Sequence, residues 1–156
     1  MLPGKHPRES RVEMTEMILP SDANPIGTVF GGKVMQWIDV AAGIAAARHC
    51  RKVVVTVSMD TLHFHAPMRV GEVAVLEAKI NAAFKTSMEC GVTVHSEDLL
   101  TGEQRLCTSA LLTFVALGKD DRPTRVPPLL PETEDECRVF AEAQLRREVR
   151  LARPRD

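Results

Sequence analysis

The chain has 156 residues, of which 44% are hydrophobic and 26% charged, and its formal net charge is −1. This size and composition predict a single globular domain, and the balanced charge gives no indication of nucleic-acid binding, which usually needs a basic excess. The polar start MLPGKHPRESR lacks the apolar core of a signal peptide, and the four cysteines form no C-x-x-C pair. We therefore expect a cytoplasmic protein with free thiols that binds neither nucleic acid nor a membrane.

The first part of the chain predicts a tail, a strand and then a long helix. Residues 1–11 are expected to form a flexible N-terminal tail, and residues 12–19 a short strand that ends before Pro20. The stretch NPIGTVFGGKVMQWIDVAAGIAAA (24–47) begins as a turn and continues as an apolar run after Gly31-Gly32. Apolar residues cover every side of the helical wheel, which predicts a helix buried in the core. At about 15 residues, the run is shorter than the roughly 20 needed to cross a bilayer.

Asp39 is the only charged residue of this helix between Lys33 and Arg48. It has two possible roles: a structural carboxylate that accepts a backbone hydrogen bond, or a general base or nucleophile in a cleft. Gly31 and Gly32 favour the second role, because a group can approach the first helical amides closely where no Cβ is present. These amides have no intrahelical partner and lie at the positive end of the helix dipole. They would polarise a carbonyl about two turns from Asp39.

Four further strands are predicted, over residues 53–64, 73–82, 88–95 and 105–117, with a basic connector at 49–52 before them. The third of these alternates most clearly, because Met88, Cys90, Val92 and Val94 are interleaved with Glu89, Gly91, Thr93 and His95. Residues 84–87 form a short connection and residues 96–104 a polar hairpin turn. A strand, a buried helix and four strands with short links predict an α+β fold, in which a curved antiparallel sheet wraps around one helix.

The last part of the chain predicts a proline-rich connector at residues 119–131 and a charged C-terminal helix that ends near residue 151. Thr133 and Glu136 have the spacing of a capping box. The expected weak apolar contacts are Phe140, Ala141, Leu145 and Val149. Three arginines lie near the helix end, where the dipole favours cations: Arg146, Arg147 and Arg150. A solvated surface helix and a contact with CoA or nucleotide phosphates are the two alternatives.

His63 and His65 lie on one face of a predicted strand and are potential metal ligands. No third ligand is placed by the spacing, so we predict no metal site and expect solvent-facing or interface histidines. Asp60 is expected on the opposite face of that strand, either bordering the site or facing water.

Four segments together resemble the acyl-CoA thioesterases of the hot-dog superfamily: SDANPIGTVFGGKVMQWID, VVVTVSMDTLHFHAPMRVGE, FKTSMECGV and LLTFVAL. The branch they are most similar to contains brain-type acyl-CoA hydrolase and its single-domain bacterial relatives. The resemblance covers about residues 12–150. It implies a hot-dog domain at 12–118, followed by the connector and C-terminal helix at 119–156. It also implies dimers with one continuous sheet, commonly assembled as trimers of dimers, that is, homohexamers.

The resemblance also implies a site and a reaction, hydrolysis of fatty acyl-CoA to fatty acid and CoA without a cofactor. Asp39 matches the catalytic aspartate, and Asn24 matches an asparagine that works with it across the subunit interface to position water or the carbonyl. The oxyanion-binding amides fall at Gly31 and Gly32, beside Phe30. A segment of the protein that lies near the CoA moiety in the family matches Lys85, Thr86 and Ser87. Asp39 would act either as general base or as nucleophile, and the sequence leaves both open.

Two rival functions share this fold. A dehydratase acting on acyl carrier protein usually relies on a histidine ahead of the helix, where this chain has Asn24 and no histidine. A non-catalytic acyl-CoA-binding regulatory protein would keep the pocket without hydrolysing the thioester. Asp39 beside the glycines of the helix opening argues against the second rival, and both remain open.

Overall fold

The computed structural model describes residues 2–154, which form a five-stranded antiparallel sheet around one long helix. The sheet order is β1-β3-β4-β5-β2, so β1 and β2 are its edges. The strands are β1 (Val12–Met17), β2 (Val53–Phe64), β3 (Val73–Ala83), β4 (Ser87–Glu97) and β5 (Gln104–Leu117), and the helices are α1 (Gly31–Cys50) and α2 (Glu134–Ala152). The α+β fold predicted from the periodicity is confirmed. None of the helices in this part of the chain is long and apolar enough to span a membrane.

The core lies between α1 and the inner face of the sheet. Small residues of α1, among them Ala41, Ala42 and Ala45, are fully buried and let the helix approach the strands closely. The alternation of β3 and β4 faces its apolar residues to this core as predicted; Leu76 and Cys90, for example, are fully buried.

The expectation that α1 is buried on every side is wrong for the single chain. Met35, Val40 and Ile44 lie on an open face of the helix, with exposed fractions of 40%, 47% and 38%. Asp39 is exposed on the same open part of the helix. An apolar wheel does not distinguish a helix covered by its own sheet from one that leaves a face for another molecule.

Most predicted boundaries agree with the structure to within one or two residues, and β2 agrees at both ends. The main difference in this region is at the end of α1, which continues through His49 and Cys50 instead of changing there into a connector. His49 is fully buried and its Nε2 lies 2.7 Å from the carbonyl oxygen of Pro127. Arg51 then ends the helix in the left-handed conformation, with φ of 54°.

The N-terminal segment is not a free tail in the residues that the structure describes. The N–H of Lys5 donates to Pro128 and the N–H of Leu130 donates back to Lys5, at 2.9 and 2.8 Å. Ser10 is fully buried. The prediction of a flexible tail at 1–11 is therefore wrong for residues 2–11, because their backbone groups are paired with the proline-rich connector; Met1 lies outside the described residues.

The C-terminal helix α2 lies on the outer face of the sheet. Most of its side chains are exposed, as expected for a surface helix, and Ala143 is its one buried residue, but Arg146 and Arg150 bind carboxylates of the sheet. The predicted capping box is present, since the N–H of Glu136 donates to Thr133 Oγ1 at 3.0 Å and the N–H of Thr133 to Glu136 Oε1 at 3.1 Å. The predicted apolar contacts are only partly right: Phe140 packs against the core, whereas Ala141, Leu145 and Val149 are exposed. Residues 155 and 156 lie outside the described residues, and the division at residue 118 stays a prediction.

Glu89 lies on the outer face of β4 and is fully buried beneath α2. The guanidinium of Arg146 donates to both of its carboxylate oxygens, at 2.6 and 3.1 Å. Asn81 Nδ2 donates to Glu89 Oε1 at 3.0 Å. These bonds to Glu89 raise the pKa of Arg146 above its ordinary value. The carboxylate is tolerated in this place because it is both paired and hydrogen-bonded.

Replacing Arg146 with alanine is expected to lower the free energy of unfolding by about 3 kcal/mol, because Glu89 would stay buried without its cationic partner. Urea unfolding at one fixed protein concentration measures this change. Arg138→Ala is the matched control, since Arg138 pairs with Asp135 and Glu142 on the exposed side of α2 and such pairs contribute little. Equal losses in the two variants would show that the burial of Glu89 is not what matters.

Candidate functional site

The opening of α1 presents two unpaired backbone donors. Phe30 precedes the helix without a side-chain cap. Its carbonyl oxygen accepts from the N–H groups of Lys33 and Val34 at 3.0 and 3.2 Å. Within residues 2–154 the N–H groups of Gly31 and Gly32 donate to no protein acceptor. They are therefore available to an external oxygen at the positive end of the helix dipole.

The side chain of Asn24 organises the turn that leads to this opening. Its Oδ1 accepts the backbone N–H groups of Ile26 and Thr28, each at 3.1 Å, and its Nδ2 donates to Thr28 Oγ1 at 2.8 Å. Gly27 completes the turn with φ of 83°, a value that favours glycine. The amide of Asn24 keeps one N–H for another acceptor.

A cavity of about 380 Å³ opens beside Gly31. Its walls are mostly apolar and comprise Val29, Gly31, Val34, Phe64, His65, Ala66, Pro67, Met68 and Thr108. Thr108 is buried, and its hydroxyl has no hydrogen-bond partner within the described chain. The free amides thus lie next to a mainly apolar space that contains an unsatisfied hydroxyl group.

Thr56 of β2 is hydrogen-bonded to Asp39, although the sequence alone did not identify it as a site residue. Thr56 Oγ1 donates to Asp39 Oδ1 at 2.7 Å. This bond fixes one carboxylate oxygen and leaves the second oxygen free to accept a proton or to attack. Thr56 stands in VVVTVSMD, a segment that carries the resemblance, but nothing in its period-2 pattern separates it from an ordinary strand threonine.

The structure does not bring Asp39 together with Gly31 and Gly32 of its own chain. Eight residues separate Gly31 from Asp39, which is about 12 Å along a helix axis. A carbonyl bound at the helix opening is therefore out of reach of the Asp39 carboxylate on the same chain.

Lys85 and Thr86 lie in the turn between β3 and β4, and Ser87 is the first residue of β4. The backbone carbonyls of this turn accept from neighbouring segments: Thr86 from Ala116 at 3.0 Å and Lys85 from Val126 at 3.1 Å. The exposed Lys85 lines a cavity of about 220 Å³ together with Phe84 and Arg125. This cavity shares no lining residue with the one beside Gly31.

The two histidines of the HFH segment are exposed, and their ring centroids are 6.0 Å apart. His65 Nε2 lies 2.9 Å from Ser109 Oγ. Residues 2–154 contain no group of three or more His, Cys, Asp or Glu side chains that could hold a metal ion. Three of the cysteines are buried and Cys137 is exposed on α2; all four are free thiols.

An apolar surface surrounds the Asp39–Thr56 pair. It consists of the open face of α1 and the neighbouring part of the edge strand β2, and its residues are Met35, Val40, Ile44, Val53, Val55 and Val57. Val53 is 68% exposed and Val57 54% exposed. Several exposed apolar residues next to an unpaired strand edge are typical of an interface with another protein chain.

The sequence profile of the thioesterase superfamily matches residues 26–103. Among curated proteins, the chain is 42% identical to an uncharacterized acyl-CoA thioester hydrolase of Bacillus subtilis, over 95% of this chain and 86% of that protein. It is 40% identical to acyl-coenzyme A thioesterase 11 of Mus musculus over 93% of this chain, but spans only 25% of the length of the mouse protein.

Solved structures of acyl-CoA thioesterases have the same fold. An apo-hexameric acyl-CoA thioesterase is 40% identical, with a TM-score of 0.92 and 96% of both chains covered. The acyl-CoA hydrolase of Staphylococcus aureus, solved with butyryl coenzyme A and coenzyme A, is 34% identical with a TM-score of 0.90, over 96% of this chain and 92% of that chain.

Three single alanine variants of the Staphylococcus aureus enzyme have also been solved, of an asparagine, an aspartate and a threonine. In that sequence the aspartate follows the asparagine by 15 positions, and the threonine follows the aspartate by 17. Asn24, Asp39 and Thr56 have the same two spacings.

Proposed function

Because this chain belongs to the thioesterase superfamily, we propose that it hydrolyses acyl-CoA thioesters to free fatty acid and CoA. The observation that carries the assignment to this site is the hydrogen bond from Thr56 to Asp39. These two residues and Asn24 have the spacing of the three residues replaced by alanine in the Staphylococcus aureus enzyme. Asp39 is the catalytic carboxylate, and Gly31 and Gly32 supply the amides that stabilise the oxyanion.

The chemistry follows from where charge develops. When water or a carboxylate attacks the thioester carbon, negative charge forms on the carbonyl oxygen, and fixed N–H donors stabilise it; one such donor contributes about 3 kcal/mol to the barrier reduction. As general base, Asp39 takes a proton from the attacking water. The C–S bond then breaks, and the thiolate of CoA leaves and is protonated. Asn24 uses its remaining N–H to position the water or the carbonyl.

The geometry favours a site built from two copies of the chain. Asp39 and the amides of its own helix opening are about 12 Å apart along the axis, so the amides must come from a second copy. The exposed apolar surface around Asp39 and the unpaired edge of β2 supply an area on which this copy can dock. We propose a homodimer with two equivalent sites, in which Asn24, Phe30, Gly31 and Gly32 of one copy meet Asp39 and Thr56 of the other.

The relatives support a larger assembly and a cellular location. A hexameric structure is known for an acyl-CoA thioesterase with 40% identity, and we propose a trimer of dimers here. The rat, mouse and human relatives at 37% identity are called cytosolic acyl coenzyme A thioester hydrolases, and we propose a cytoplasmic location. The reaction as written needs no metal or cofactor. Lys85, Thr86 and Ser87 are proposed to lie near the CoA moiety.

A thiol-release assay with acyl-CoAs of several chain lengths tests the function. Release of CoA in stoichiometric amounts with the free acid is the expected result. Hydration of an unsaturated acyl group on acyl carrier protein without thiol release would favour the dehydratase rival. Tight binding of acyl-CoA without either reaction would favour a regulatory protein.

Replacing Thr56 with valine is expected to lower kcat by about 10- to 100-fold, because a hydrogen bond to a charged group contributes roughly 1.5–3 kcal/mol. Valine keeps the shape and the strand preference of threonine, so the fold should be retained. Steady-state hydrolysis of an acyl-CoA measures the change. Thr56→Ser keeps the hydroxyl and should recover most of the rate; a serine variant as slow as the valine variant would argue against the hydrogen bond.

A further inference from the structure

Two arginines one turn apart on α2 bind two acidic side chains on the outer face of the sheet. Arg146 holds Glu89 on β4, as described above. Arg150 Nη1 donates to Asp60 Oδ2 on β2 at 3.2 Å, and the two side chains are 26% and 25% exposed. Thr113 of β5, which lies between these strands, also donates to Asp60 Oδ2 at 3.2 Å. The end of α2 thus connects the edge strand β2 to the middle of the sheet.

The strand β2 is irregular where these contacts are made. Thr56 pairs with Phe114 and Ser58 with Thr113, whereas Met59 pairs with Leu112 and Thr61 with Leu111. Val57 and Asp60 are therefore extra residues, each in a β-bulge. In a regular strand, residues 56 and 60 would face the same side.

The bulges allow β2 to hold groups on opposite faces. Thr56 reaches Asp39 on α1, inside the sheet, while Asp60 reaches Arg150 on α2, outside it. A slip of one residue in the register would turn Thr56 away from Asp39. Within one chain β2 has only β5 as a neighbour, so the bulged register depends on that pairing and on the bonds of Asp60.

We propose that Arg150 and Asp60 are positioning residues for catalysis. They fix the bulged register of β2 and thereby hold the Thr56 hydroxyl on the Asp39 carboxylate of the same chain. This inference rests on the proposed function of Asp39. The outer-face contact does not touch the reacting atoms and acts through Thr56.

Arg150 can be removed without detaching α2. The bidentate bond of Arg146 to the buried Glu89 remains, and Arg147 still lies over the ring of Phe84, at 4.7 Å from its centroid. The helix therefore stays docked in Arg150→Ala, and only the tie to β2 is lost.

The first experiment compares kcat and KM of Arg150→Ala with the wild type, using a saturable acyl-CoA substrate. We expect kcat to fall about 3- to 10-fold, in the range for residues that act through a packed network, with KM nearly unchanged. Arg150→Lys keeps the cation and should recover part of the rate. Arg138→Ala, on the same helix but paired only with Asp135 and Glu142, should behave as the wild type.

The second experiment measures coupling. If Arg150 acts through Thr56, then adding Arg150→Ala to Thr56→Val should cause no further loss of kcat. If the two losses in kcat multiply in the double variant, the proposal is refuted. It is also refuted if Arg150→Ala keeps the wild-type kcat. If Arg150→Ala fails to fold, Asp60→Ala is used in the same comparison, because it removes the oxygen that accepts from Arg150 and Thr113.

The outcomes separate this inference from the proposed function. Full activity in Arg150→Ala and Asp60→Ala, together with an inactive Asp39→Asn, would refute the positioning role and leave the function standing. A wild-type protein without thioesterase activity would refute both.

Discussion

Replacing Asp39 with asparagine is expected to lower kcat by about 10³-fold, in the range lost when a general acid–base group is removed. Asparagine keeps the size of the side chain and can still accept the hydrogen bond from Thr56, but it cannot take a proton from water. Steady-state acyl-CoA hydrolysis measures the loss. Because Asp39 is exposed in the single chain and asparagine has nearly the same size, the replacement should leave the fold intact, which circular dichroism checks; size-exclusion chromatography checks that the assembly is retained.

The matched control for this change is Asp135→Asn. Asp135 is an exposed carboxylate on α2, paired with Arg138 and remote from the opening of α1. The Asp135→Asn variant should hydrolyse acyl-CoA at the wild-type rate. A near-normal kcat for Asp39→Asn would remove Asp39 from the catalytic machinery and with it the assignment of the site.

The two chemical roles of Asp39 are separated by a turnover in heavy-oxygen water. Direct attack by the carboxylate gives an acyl anhydride, and its hydrolysis can leave heavy oxygen in Asp39. A general base leaves the carboxylate unlabelled, and the heavy oxygen appears only in the fatty acid. Heavy oxygen in the peptide that contains Asp39, detected by mass analysis, would establish direct attack by the carboxylate.

The periodicity of the sequence predicted the sheet well because each strand has one buried face. Alternation in β3 and β4 identifies the residues that meet α1, and Gly71 and Pro67 mark the break between β2 and β3. Periodicity alone does not show that Glu89 is buried. A glutamate on the outer face of a strand is normally solvated, and its burial here depends on Arg146, which lies 57 residues further along the chain.

The site was only partly accessible from the sequence. Asp39 was notable as the one charge in an apolar helix, and Gly31 and Gly32 as a helix opening, but the link between Asp39 and Thr56 is a contact between separate elements that no local pattern encodes. The open face of α1 was missed for a related reason. Met35 and Val40 are apolar whether the covering surface belongs to the same chain or to a second one, so the pattern could not tell an interface from a core.

Mixing two inactive variants, Asn24→Ala and Asp39→Ala, is expected to restore about one quarter of the wild-type activity if each site takes these residues from different copies. Random pairing of the chains makes half of the dimers mixed, and each mixed dimer has one site with both residues intact and one site with neither. The defect of Asn24→Ala stays with the helix opening of its own chain, because the Asn24 side chain organises the turn before Gly31. The measurement is acyl-CoA hydrolysis after subunit exchange, which differently tagged chains verify, and each variant incubated alone is the control. Verified exchange without recovered activity would place both residues in a site of one chain, a result that the distance of about 12 Å between Gly31 and Asp39 along α1 argues against.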